Sequence, residues 1–286
     1  MTERTASPWF APDPGKAWAE RFFLLYSPVW IAAVAWALLS GAVLTWDDPT
    51  YMLFGFALGA PPIVIPALLH RRTPALAATP WYDSWWFKFN AWIFLFVFVG
   101  TYFLTHYFFD ILGMRYTFPT QWNGGAALVG RTRADIPLFM YPLTQAYFVT
   151  YHVVMLVLLR RARGLLGLPL PGRPDMSPAP SRFVRRLALA LVTIALAYGV
   201  SWAETYFMAS PAIGAYFGYA DKARMLTYGS LFYACYFLVS LPLLAGLDEA
   251  PGARTPLGRA VLSSLAAGML VFFVLDLLAH LIGPIA

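Results

Sequence analysis

Six side chains able to carry or move a proton lie inside apolar stretches of the chain: His106, Asp110, His152, Glu204, Asp276 and His280. An ionisable group at the centre of a bilayer costs at least about 2.5–3.5 kcal/mol, and such groups mark function. His106 and Asp110 are four apart, as are Asp276 and His280. On a helix each pair shares a face, so a carboxylate can hold an imidazole in one tautomer. Glu204 stands among Ser201, Trp202, Thr205 and Tyr206, with no Lys or Arg in its stretch. Asp276 has the aliphatic neighbours Leu275, Leu277 and Leu278. Buried carboxyls of this kind are suited to proton donation. A structural reading competes at three positions. Asp110 and His280 fall near the ends of their stretches and can face headgroups, and His152 can serve as a hydrogen-bond partner within a helix bundle.

These groups need elements to hold them in an apolar medium. The chain of 286 residues is 60% hydrophobic and only 12% charged, with a mean hydropathy of +0.62. A soluble domain carries about 25% charged residues. A soluble enzyme, a disordered chain and a nucleic-acid binder are thereby excluded. Seven apolar runs are long enough to cross a bilayer: Phe22–Trp46, Tyr51–Leu69, Trp86–Gly113, Pro137–Leu159, Leu187–Met208, Met225–Leu247 and Arg259–Ile282. Pro61, Pro62 and Pro66 weaken the second, although membrane helices tolerate such breaks when neighbours satisfy the freed carbonyls. No alternation of about ten residues recurs, so a barrel has no support. The expectation is an all-α polytopic bundle of seven helices in one domain over 1–286. Its polar N-terminal segment covers 1–21, and a Pro- and Arg-rich loop covers 160–186. No cleavable signal precedes the first run, and no internal repeat is visible. The lone Cys235 excludes an intrachain disulfide and a Cys-based metal cluster.

Basic residues set the direction. With the N-terminus cytoplasmic, the inner segments hold fifteen: Arg4, Lys16, Arg21, Arg71, Arg72, Lys88, the seven arginines of 160–186, Arg254 and Arg259. The outer segments hold five: Arg115, Arg131, Arg133, Lys222 and Arg224. The imbalance predicts N-terminus inside. At a rise of 1.5 Å per residue, Glu204 and Asp276 then lie roughly 25 Å from the inner boundary, with His106 and Asp110 slightly further out.

Aromatic residues are 17% of the chain. Interfacial belts account for most of them. The run from Tyr102 to Phe109 fits that account less well, because it surrounds His106 with π faces. Such a wall suits a flat apolar ligand or a cation, at about 0.5–2 kcal/mol per contact. No phosphate loop or metal-spaced His cluster occurs. With lysine only at 16, 88 and 222, a retinal Schiff base is excluded. The chemistry left is proton transfer on an apolar substrate, with no cofactor or metal expected.

The chain resembles the cycloeucalenol cycloisomerase family of cyclopropyl sterol isomerases from about Trp9 to Ile285. The resemblance rests on Arg21–Pro28, Asn90–Ile93, Thr105-His106-Tyr107-Phe108-Phe109, Tyr116–Pro119 and Tyr151-His152-Val153. It continues through Glu204-Thr205, Leu231–Ala234, Asp248-Glu249, Leu275-Asp276-Leu277 and Gly283-Pro284-Ile285. Asp110 and His280 depart from the family pattern and lose weight as catalytic groups. Seventeen arginines against three lysines point to a bacterial source.

The resemblance implies a multi-pass enzyme, in the inner membrane of a bacterium or the endoplasmic reticulum of eukaryotic relatives. It implies opening of a 9β,19-cyclopropane to an 8(9)-ene by protonation at C19 and loss of the C8 proton. The expected partners are a cyclopropyl sterol and the bilayer, with no nucleic acid; oligomeric state is left open. Glu204 or Asp276 is the expected acid, with His106 tuning or relaying the proton. Trp202, Tyr107 and Phe108 are candidate cation stabilisers, and Tyr116 or His152 would hold the 3β-hydroxyl. A non-catalytic sterol binder or transporter is the alternative class. The orientation is directly testable: a cysteine at Asp47 should be labelled from outside and one at Arg173 only from the cytoplasm. The opposite pattern reverses the topology.

Overall fold

The computed structural model describes residues 9–126, 134–171, 174–176, 178–250 and 252–283. Arg4, Arg131, Arg133, Arg173, Pro284 and Ile285 lie outside the described residues. Helix α1, Pro14–Leu39, starts eight residues before the expected run because Asp13 caps it, its carboxylate accepting from the Lys16 amide at 2.9 Å. α2 (Asp48–Gly59) and α3 (Pro61–Leu69) are bent by 48° into one broken span. The short α4 (Pro74–Ala77) leads to α5 (Trp85–Val99). Then come α6 (Met140–Leu165), α7 (Ala179–Met208), α8 (Lys222–Leu244) and α9 (Leu257–Ile282). Among the described residues six helices are long and apolar enough to cross a membrane, and the bent pair makes a seventh if counted as one span.

The proline breaks are repaired from outside. Pro62 cannot donate to the Leu58 carbonyl, nor Pro66 to that of Pro62. Tyr26 Oη donates to Leu58 O at 2.8 Å, and Asn90 Nδ2 donates to Pro62 O at 3.0 Å. The α2–α6 contact is close because it is built on glycine: a Cβ at Gly59 would lie 2.1 Å from the Pro142 carbonyl oxygen. Small residues let membrane helices approach in this way.

Three features differ from the sequence expectation. The third run is not one α-helix: past Val99 it continues as π turns over Gly100–Leu104 and Tyr107–Ile111. Two antiparallel ribbons form at the far end of the bundle, β1 (Met114–Tyr116) with β4 (Phe217–Tyr219), and β2 (Asn123–Ala126) with β3 (Ala134–Pro137). The 160–186 loop is shorter than read, because α6 runs to Leu165 and α7 begins at Ala179.

Arg160 is buried at the N-terminal end of the bundle. Its Nη2 lies 2.5 Å from Glu20 Oε1, and its Nε donates to Glu249 Oε1. Lys16 Nζ completes the cluster at 2.6 Å from Glu249 Oε2 and 2.7 Å from the Leu247 carbonyl. Nearby, Lys88 Nζ pairs with Asp248 at 2.6 Å and Asp83 at 3.1 Å. Burial works against the charge on Glu249, but the Arg160 hydrogen bond and the Lys16 charge outweigh it and hold its carboxyl below the usual range. A carboxylate so depressed stabilises the fold above its unfolded pKa, and the contribution is lost as pH falls through the folded value. The melting temperature in detergent should therefore hold down to the ordinary glutamate value of 4.5 and fall below it. Glu249→Gln should flatten that fall. Arg160→Met leaves two buried carboxylates short of a partner and should cost about 3–5 kcal/mol in unfolding measurements.

Candidate active site

A cavity of about 550 Å³ opens between α1, α5, α6, α7 and α8, in the half of the bundle away from the Arg160 cluster. That volume falls within the roughly 300–1,000 Å³ of small-molecule sites. The lining is almost wholly aromatic and aliphatic. Among the described residues that line it, Glu204 is the one acidic or basic side chain. Helical spacing puts it there: Val200, Phe207 and Met208, three or four residues away, line the cavity with it.

Phenols surround this carboxyl. Tyr151 lines the cavity with Glu204. Tyr147, Tyr116, Tyr233 and Tyr236 line the same space, close enough to feel its charge. The phenol of Tyr116, in β1, is pushed up by burial and further by the charge of Glu204. The π turns contribute Gly100, Thr101 and Phe108 to the wall. π turns are rare and gather at functional sites. Phe108 meets Tyr233 with ring centroids 4.7 Å apart.

The residues singled out in the sequence separate into groups. Glu204, Tyr116 and Phe108 line the cavity. Asp276, His106 and Tyr107 meet elsewhere: Tyr107 Oη donates to Asp276 Oδ1 at 3.1 Å, and the charges of Asp276 and Asp110 both reach His106. Asp276 is exposed on α9 and is not part of the cavity lining. His280 is exposed as well. His152 is buried with both ring nitrogens occupied, Nδ1 by the Phe148 carbonyl and Nε2 by Ser240 Oγ, each at 2.8 Å. It ties α6 to α8, as the structural reading has it. Trp202 is 49% exposed, meets Tyr206 at a tilt with ring centroids 4.8 Å apart, and is not part of the cavity lining. Sequence reasoning missed Tyr147, Tyr151, Tyr233 and Tyr236. Their signal was the polar spacing Thr144-Tyr147-Tyr151 on α6, repeated by Tyr233 and Tyr236 on α8.

The chain is similar to the cycloeucalenol cycloisomerase of Arabidopsis thaliana. The two are 34% identical over 278 residues, which is 97% of this chain and 90% of that protein. No family model and no solved structure matches the chain.

Two substitutions check the geometry. Trp202→Ala should leave the affinity of the cavity for an apolar ligand unchanged in a fluorescence titration, because the indole points away from it. His152→Phe leaves Ser240 without its partner and should lower unfolding stability by about 1–3 kcal/mol, again without loss of ligand affinity.

Proposed function

The chain belongs to the cycloeucalenol cycloisomerase family, and from that premise we propose that it opens the 9β,19-cyclopropane ring of a sterol within the membrane, with Glu204 as the acid. The observation that carries this reading is a single carboxyl in an apolar, aromatic-walled cavity. The proton passes from Glu204 to C19. The C9–C19 bonding pair forms the new C19–H bond, and positive charge develops at C9. Loss of the C8 proton then gives the 8(9) double bond. The carboxylate left by the first transfer is the base for the second, so Glu204 ends each cycle as it began. Nothing is oxidised or reduced, and the reaction calls for no redox cofactor.

The cavity supports each requirement of this chemistry. Its apolar wall keeps water from capturing the cation. The faces of Phe108, Tyr233 and Tyr236 offer electron-rich surfaces to positive charge. Tyr116 lines the cavity, and it is the better candidate for the 3β-hydroxyl because both nitrogens of His152 are occupied. Asp276, with Tyr107 and His106, is the second candidate acid. The basic-residue imbalance supports a cytoplasmic N-terminus, which puts Glu204 in the outer half of the bilayer.

General acid–base catalysis contributes about 10²–10⁴-fold. Glu204→Gln should lose at least that much turnover on a cyclopropyl sterol while still binding it, and Asp276→Asn should remain active. The reverse result moves the acid to α9. A single turnover in heavy water, with enzyme equilibrated beforehand, should place one deuterium in the C19 methyl; unlabelled product overturns C19 protonation. A wild-type protein that binds the sterol and leaves it unchanged is a carrier instead.

A further inference from the structure

Aromatic side chains pack against one another at both ends of the cavity. At the far end Phe118 packs between Phe139 and Phe217, with ring centroids 5.2 and 5.3 Å away, beneath the paired β1 and β4. Trp46 and Phe54 add a second contact at 4.8 Å. Toward the N-terminal end, Phe96, Phe148, His152 and Phe237 interlock. Below them the Arg160 cluster joins α1 to α6 and to the connection after α8. The flanks at α5–α9 and α7–α8 are packed.

One side differs. α1 and α7 both pack on α6, and the cavity wall between them is made of side chains that also face outward. Ile31 on α1 is 48% exposed and Phe207 on α7 is 51% exposed, yet both line the cavity. Val34, Ala35, Val200 and Tyr151, half-buried, continue this rim and floor. Glu204 is itself half-buried at the cleft. α1 is held to α6 by Trp30 Nε1, which donates to Thr150 Oγ1 at 2.8 Å, and both residues line the cavity. Exposed apolar side chains on α1 and α7 thus share one lining with the carboxyl.

We propose that the cleft between α1 and α7 is a lateral portal through which a sterol passes between the bilayer core and the cavity without entering water. This rests on the reading of the cavity as a sterol site. The chemistry of the rim fits that occupant. It is apolar, as a lipid-facing passage must be, and it leads inward to one carboxyl and a set of phenols. A polar ligand arriving from water would meet the aromatic plug at one end or the buried ion cluster at the other.

The test uses the full chain in lipid nanodiscs and a fluorescent sterol with a conjugated ring system as probe. In a Cys235→Ala background, Ile31→Cys and Phe207→Cys are bridged across the cleft by a reducible bifunctional thiol reagent. Both positions are exposed and also line the cavity, so the affinity and exchange rates of the unbridged double variant are measured first and serve as the reference for the bridged one. The bridge should slow uptake and release of the probe together, each by at least about tenfold, with the equilibrium affinity little changed. Reduction of the bridge should restore both rates. A residue of merely structural importance would alter affinity instead. Exchange rates indifferent to the bridge overturn the portal alone and leave the Glu204 chemistry standing. Failure of the folded wild-type protein to bind the probe overturns the sterol reading and the portal with it.

Discussion

Arg160 sets the terms for the rest of the molecule. Its planar guanidinium engages Glu20 of α1 on one edge and Glu249, beyond α8, on the other. With Lys16 added, the cluster has two positive and two negative groups and no net charge. A fork of this shape is what arginine offers and lysine does not. The pairs need not be stabilising relative to a well-packed apolar core. They fix which helices meet and in what register, because any slip leaves a charge buried alone. The cavity lies beyond this anchored end.

The same accounting of polar groups governs the backbone. Prolines 61, 62 and 66 withhold donors in a segment that has no water to replace them. Tyr26 and Asn90 supply them from neighbouring helices. The bend that results brings α2 against α6 through Gly59 and gives the cavity wall Phe54. The polar contacts that hold the bundle are therefore directed at particular vacancies, while the cavity is lined by phenols and one carboxyl with no such structural duty.

Much of this was legible in the residues. Apolar run length located the spans, and the proline-bearing run was readable as a tolerated break. Glu204 stood out as a carboxyl with no cation near it in sequence. Its surroundings were not legible by adjacency. Trp202 and Tyr206 are two positions away, which on a helix is the opposite side, so the aromatic groups that enclose the carboxyl come from α6 and α8. The π turns were hidden because a run of apolar residues reads alike in either geometry. The ribbons have only three or four residues per strand, too few for alternation to register. The pairing of Lys16 with Glu249 and of Arg160 with Glu20 spans 233 and 140 residues and leaves no local trace. Asp276 was ranked from its aliphatic neighbours, of which Leu277 is exposed with it, whereas Leu275 is buried in the core.

A cleft that faces hydrocarbon changes what concentration means for this protein. A ligand taken up along that route is sampled by its mole fraction among lipids, in two dimensions, and the volume of water outside is irrelevant. Adding inert phospholipid would dilute the ligand even at constant molarity. Sterols and phospholipid chains then compete for the same opening, so the composition of the host membrane becomes a term in the rate law.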